Sequence, residues 1–140
     1  MQSTPLWDPM PASPYDAEFG LSFGRIRNPR VLIVEDDKDL WPILDRVGWL
    51  VDSDLVIDFA EDANSALTHL LDDERYDAVL ADVQLPNRHT GVWVLEKSQR
   101  LQPWADVALM STHPCDVDIA FLSKPLRIRQ CRSFLTDRLL

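Results

Sequence analysis

Four short apolar runs in this chain each lead into groups able to do chemistry. Glu35-Asp36-Asp37 follows Val31-Leu32-Ile33-Val34, Asp82 follows Ala78-Val79-Leu80-Ala81, Ser111 follows Val107-Ala108-Leu109-Met110, and Lys124-Pro125 comes shortly after Ile119-Ala120-Phe121-Leu122. If these runs are neighbouring strands, the carboxylates of Glu35, Asp36 and Asp82 meet and repel one another. The ordinary remedy is a hard divalent cation with oxygen ligands, of which Mg2+ suits best. A lysine beside them can neutralise an oxygen of an arriving phosphoryl group, and a serine hydroxyl can donate to another. An aspartate carboxylate is a competent nucleophile for making an aspartyl phosphate.

Such groups converge at the carboxyl ends of an open parallel sheet, where α/β folds collect their ligands. From residue 30 the chain alternates between short apolar runs and amphipathic stretches, the pattern of βα units. With Leu55-Val56-Ile57 the strands number five, each short and apolar as strands covered on both faces should be. Leu40, Ile43, Leu44, Val47, Leu50 and Val51 repeat at helical spacing, with Pro42 in the first turn and Asp37 as a cap rather than a metal ligand. Ala63, Ala66, Leu67, Leu70 and Leu71 repeat likewise after Asp62; a third helix follows Gly91 with Val92, Leu95 and Leu101 and ends before Pro103. A last helix buries Ile128, Cys131, Phe134 and Leu135.

One connection departs from this rhythm. Ser111 to Asp118 offers eight residues, whereas a parallel crossover normally takes a dozen or more. Extended, they reach about 26 Å, enough to return along a strand of about 17 Å without a helix. The expectation is an α/β domain with a doubly wound five-stranded parallel sheet and four helices, the fourth crossover helix missing or reduced to a loop.

Residues 30–140 resemble the receiver domain of two-component response regulators. Val31-Leu32-Ile33-Val34-Glu35-Asp36-Asp37 is similar to that family's first strand and acidic pair, Asp77 to Pro86 to its phosphoacceptor strand and loop, and Phe121 to Leu126 to its fifth strand with a lysine and a cis proline. The resemblance implies a flavodoxin-like sheet of order 2-1-3-4-5 and phosphorylation on Asp82, with Lys124 and Ser111 serving the reaction. It implies Mg2+ held by Asp36, Asp82 and the backbone carbonyl of Gln84, with Glu35 acting through water. Ser111 and Phe121 match the switch positions and Pro125 the structural proline. The implied donor is a sensor histidine kinase or phosphotransfer protein, and the output is contact with a downstream protein whose identity stays open.

The chain also departs from the family's pattern. Val83 to Thr90 is one residue longer than the usual spacing to the glycine, here Gly91, and the short connection removes a helix from the usual output face. Signalling through another surface is therefore expected, either the first helix with Trp41 or Trp49 or the N-terminal segment, including a homodimer by such a face. Gln84, Thr112 and His113 flank the reactive positions, where they can set how long a phosphoryl group lasts.

Residues 1–29 carry five of the ten prolines and read as an extension. Its aromatic residues Trp7, Tyr15, Phe19 and Phe23 suit packing on the domain or a partner, and its prolines suit a loose tail. Fourteen Lys and Arg against 23 Asp and Glu give a net charge of −9, which disfavours nucleic acid. Arg127, Arg129, Arg132 and Arg138 read as the solvated side of the last helix. No apolar run approaches the roughly 20 residues of a membrane span, the start lacks signal-peptide character, and Cys115 and Cys131 form no disulfide framework. A reducing cytoplasm is the expected location. His69, His89 and the tryptophans read as packing or surface residues.

Two rival functions are weighed against a stand-alone receiver, for which the 15 residues after Pro125 provide only a final helix. A pseudo-receiver that binds partners without being phosphorylated is disfavoured by the complete set of Glu35, Asp36, Asp82, Ser111 and Lys124. A phosphohydrolase of the haloacid dehalogenase type needs a second Asp two residues after the nucleophile, where Gln84 stands, and no Gly-rich phosphate loop is present. The expected protein is not an enzyme beyond Mg2+-dependent self-phosphorylation and autodephosphorylation.

Overall fold

The computed structural model describes residues 28–72, 75–112, 120–124 and 128–139. Five strands, β1 (Arg30–Val34), β2 (Val56–Ala60), β3 (Ala78–Asp82), β4 (Asp106–Ser111) and β5 (Ala120–Ser123), form one parallel sheet in the order β2-β1-β3-β4-β5. Four α-helices lie among the described residues: α1 (Trp41–Val51), α2 (Ala63–Leu71), α3 (Gly91–Leu101) and α4 (Ile128–Leu139). Between β4 and β5 the chain has residues 112–119, of which 113–119 lie outside the described residues, as do residues 1–27, Cys115 and Pro125.

Because alternate residues of a strand point to opposite faces, the sheet carries two cores. Val31, Ile33, Leu80, Met110 and Leu122 pack with Leu44 of α1 and Phe134 of α4. On the other face, Leu32, Val34, Val79, Ala81 and Leu109 pack with Ala63, Ala66 and Leu70 of α2 and Val94 and Leu95 of α3. Accordingly α1 lies beside α4 and α2 beside α3. No helix among the described residues is long and apolar enough to cross a membrane.

The helix starts follow local chemistry. Asp62 accepts from the Ser65 amide to cap α2, and Thr90 accepts from the Trp93 amide to cap α3. Asp37 accepts from the Asp39 amide and caps a short 3-10 turn, Lys38–Leu40, that leads into α1, so the expected cap acts one turn earlier than the helix itself. In α1 only Leu44 and Gly48 are buried, while Ile43 and Leu50, expected in the core, are 59% and 38% exposed. The apolar stripe is wider than the face that the sheet and α4 cover.

Strand β2 runs from Val56 to Ala60 instead of Leu55 to Ile57. Its carboxylate-bearing residue Asp58 is tolerated inside the strand because Arg30 Nε and the Tyr76 hydroxyl donate to Asp58 Oδ2 at 3.1 and 2.6 Å.

Candidate functional site

The carboxyl ends of β1, β3, β4 and β5 bring the expected groups together. Glu35 lies one residue past β1, and its amide donates to Ala60 O at 2.9 Å, carrying the pairing one step beyond the strand. Its side chain turns inward to 1% exposure, with Oε2 accepting from the Asp37 amide at 3.1 Å. Asp36 is exposed beside it. Asp82 is the last residue of β3, in register with Met110 of β4.

Lys124, just past β5, joins the two strand ends. Its Nζ donates to Glu35 Oε1 at 2.6 Å and to Asp82 Oδ2 at 2.7 Å. The other Asp82 oxygen, Oδ1, accepts from the Gln84 amide at 3.2 Å. The Lys124 amide donates to Ser111 O at 2.8 Å, so β5 stays tied to β4 at the level of the site.

The loop after Asp82 is clamped at both ends. The Val83 amide donates to Met110 O and the Gly91 amide to Val83 O, each at 3.0 Å. A Cβ on Gly91 would lie 2.0 Å from Asp82 O, so the start of α3 can approach the end of β3 this closely only without a side chain. Within the loop, Asn87 takes a left-handed conformation (φ 73) and its side chain donates to Asp62 Oδ2 at 3.3 Å.

Electrostatics set this cluster apart. Burial raises the Glu35 pKa above the ordinary carboxylate value, with the Lys124 and Asp37 hydrogen bonds pulling it only part of the way back. Burial opposes the charge on Lys124, but hydrogen bonds to Asp82 and Glu35 outweigh it and hold the ammonium above its ordinary pKa. Glu35, Asp36 and Asp82 each bring a carboxylate oxygen within 4.8 Å of the others. These all-oxygen donors suit a hard divalent cation such as Mg2+ in their chemistry.

The remaining expected residues are distributed around this centre. Ser111 closes β4 half-buried, Thr112 and Gln84 are exposed, and Phe121 is half-buried against the core on the α2 and α3 face. His113 and Pro125 lie outside the described residues. A cleft of about 380 Å3 opens beside Glu35 and Lys124, walled by Leu40, Ile43, Leu44 and Val47 of the α1 side and by Thr112. Trp41, read from sequence as a packing residue, donates its indole N–H to Glu35 O at 2.9 Å. Its only local signal is an indole donor six residues after Glu35.

The sequence model of the response regulator receiver domain matches residues 31–131. No curated protein matches the chain. Among solved structures, the chain is similar to a CheY-like response regulator receiver domain protein from Methanospirillum hungatei JF-1, at 21% identity and TM-score 0.70 over 80% of this chain and 94% of that one. It is similar to the signal receiver domain of an HD domain-containing protein from Pseudomonas fluorescens Pf-5, at 25% identity and TM-score 0.66 over 81% of this chain and 88% of that one. A two-component response regulator from Clostridium difficile aligns at 20% identity and TM-score 0.68 over 79% of this chain and 95% of that one. With the strand order, the acidic strand ends and the match over residues 31–131 in agreement, the chain belongs to the response regulator receiver domain family.

Proposed function

We propose that residues 30–140 act as a phosphoacceptor in two-component signalling, with Asp82 taking a phosphoryl group from a phosphohistidine of a sensor histidine kinase or phosphotransfer protein. The signal then passes to a downstream protein by contact. The observation that supports this most is the Lys124 ammonium held at 2.6 Å from Glu35 and 2.7 Å from Asp82 in a half-buried site.

An oxygen of the Asp82 carboxylate attacks the phosphorus; the O–P bond forms as the P–N bond breaks, and the imidazole leaves with the electron pair and takes up a proton. Lys124 pairs with an oxygen of the incoming group, and the Ser111 hydroxyl donates to another. Glu35 holds Lys124 in place from the buried side. Asp36, Asp82 and the Gln84 carbonyl, with Glu35 behind them, would hold Mg2+. Bound there, Mg2+ supplies charge neutralisation on the transferring oxygens. Ser111 and Phe121 shift as the new charge is accommodated, while Gln84, Thr112 and His113 govern water access and so the lifetime of the acyl phosphate. The chain is a signalling module whose chemistry is confined to its own modification.

The test is to incubate the chain with acetyl phosphate and Mg2+, reduce the product with borohydride, and locate the altered residue by peptide mass. Modification at residue 82, abolished in Asp82→Ala, is the expected result. Modification elsewhere, or uptake that survives Asp82→Ala, overturns the reading.

A further inference from the structure

We propose that Trp41 is a positioning residue for the cation site, fixing the peptide unit between Glu35 and Asp36; this rests on the phosphoacceptor reading above. The carbonyl that Trp41 binds, at 2.9 Å from Nε1, belongs to the planar unit joining the two acidic residues. Holding its oxygen fixes the plane of that unit and so the direction in which Asp36 leaves it.

Glu35 is otherwise anchored at every polar atom: its amide to Ala60 O, Oε1 to Lys124 and Oε2 to the Asp37 amide. Asp36 is different. Its side chain is exposed, and among the described residues no hydrogen bond or ion pair holds its carboxylate. Its aim therefore depends on the backbone, and the backbone at that point is held by the indole.

The indole is itself braced. It stacks on Phe59 of β2 with ring centroids 4.9 Å apart and planes 14° from parallel, an offset contact that restricts its rotation. Lys38 Nζ lies 5.6 Å from the ring centroid and pairs with Glu61 at 2.6 Å. Trp41 thus links the end of β1 to β2, and through Lys38 to the turn after it, without touching the reacting atoms. Outer partners that orient ligands in this way typically govern metal affinity by 10- to 100-fold.

Trp41→Phe keeps an aromatic ring over Phe59 and deletes the donor. The expected result is about tenfold weaker Mg2+ binding by calorimetry. Phosphorylation by acetyl phosphate is slowed at limiting Mg2+ and restored at saturating Mg2+. A residue that merely supports the fold lowers the unfolding temperature and leaves the Mg2+ dependence unmoved. In the unaltered chain, Mg2+ is expected to change the tryptophan emission, and Trp41→Phe is expected to abolish that change although four of the five tryptophans remain. Should Trp41→Phe not fold, Phe59→Leu removes the brace and is expected to weaken Mg2+ by a smaller factor, with the emission change in the unaltered chain as the second reading. Equal Mg2+ affinity in the unaltered chain and the folded variant overturns the proposal and leaves the phosphoacceptor reading standing, as does Mg2+ binding without an emission change. If the unaltered chain binds no Mg2+ and Asp36→Asn changes nothing, the phosphoacceptor reading falls and the role of Trp41 with it.

Discussion

Two carboxylate clusters in this molecule solve the same problem with opposite stoichiometry. Around Asp58, one carboxylate receives two donors, Arg30 and the Tyr76 hydroxyl, and the network continues through His69 Nδ1, 3.3 Å from the phenol oxygen. The Tyr76 amide donates to Gln102 Oε1 at 2.7 Å, and Gln102 Nε2 donates to Leu70 O, so both ends of the buried Gln102 amide are partnered. Burial alone would raise the Asp58 pKa, but its hydrogen bonds to Tyr76 and Arg30 carry it below the ordinary carboxylate value. At the carboxyl ends of the strands, three carboxylates lie within 4.8 Å of one another with one lysine paired to two of them, and the Glu35 pKa is raised. A balanced cluster is complete as it stands, whereas an acidic surplus leaves room for a cation.

The largest expected effect comes from relieving the surplus. Asp36→Asn lowers Mg2+ affinity on the order of a hundredfold, the upper end of the range seen when groups that merely orient ligands are removed. The same change raises the unfolding temperature in the absence of Mg2+, because one repelling charge is gone. A parallel fall in both quantities would break the comparison.

Next is Gly91→Ala. Within a helix, alanine ordinarily stabilises by nearly 1 kcal/mol relative to glycine. Here the new Cβ meets Asp82 O, Asp82 C and Val83 Cα, all backbone, at 2.0, 2.7 and 3.1 Å. The expected outcome in chemical denaturation is a loss of about 1–3 kcal/mol with slower phosphoryl uptake, the opposite sign to the helical rule.

The smallest effect belongs to the balanced cluster. Tyr76→Phe removes the donor at 2.6 Å from Asp58 and is expected to cost about 1–2 kcal/mol while leaving phosphoryl uptake unchanged. Because the folded Asp58 pKa lies below its unfolded value, the stability it contributes is present above about pH 4 and is lost as pH falls through the folded pKa. In Tyr76→Phe that acid-side loss becomes shallower. A variant with normal stability but impaired phosphoryl uptake would show that the two clusters are not separable.

What was legible in the sequence follows the range of the interaction that decides it. Glu35, Asp82, Ser111 and Lys124 could be read because each lies where a short apolar run ends, and parallel topology gathers such ends without further instruction. The caps at Asp62 and the start of α3 at Gly91 were equally local. Asp58 was not legible as a strand residue, since its two donors lie 28 and 18 residues away and only the folded chain brings them to it. For Trp41, packing is what the sequence suggests and the stack on Phe59 agrees with it, whereas the indole hydrogen bond to Glu35 O depends on the ring being held there once β2 has paired with β1.

The most direct test of the acidic surplus as a cation-dependent phosphoacceptor is the intact mass of the chain after acetyl phosphate treatment, with Mg2+ present and after its removal by a chelator. The surplus at Glu35, Asp36 and Asp82 predicts a gain of one phosphoryl group with Mg2+ and none without it. Undiminished gain after chelation, or no gain in either condition, would contradict it.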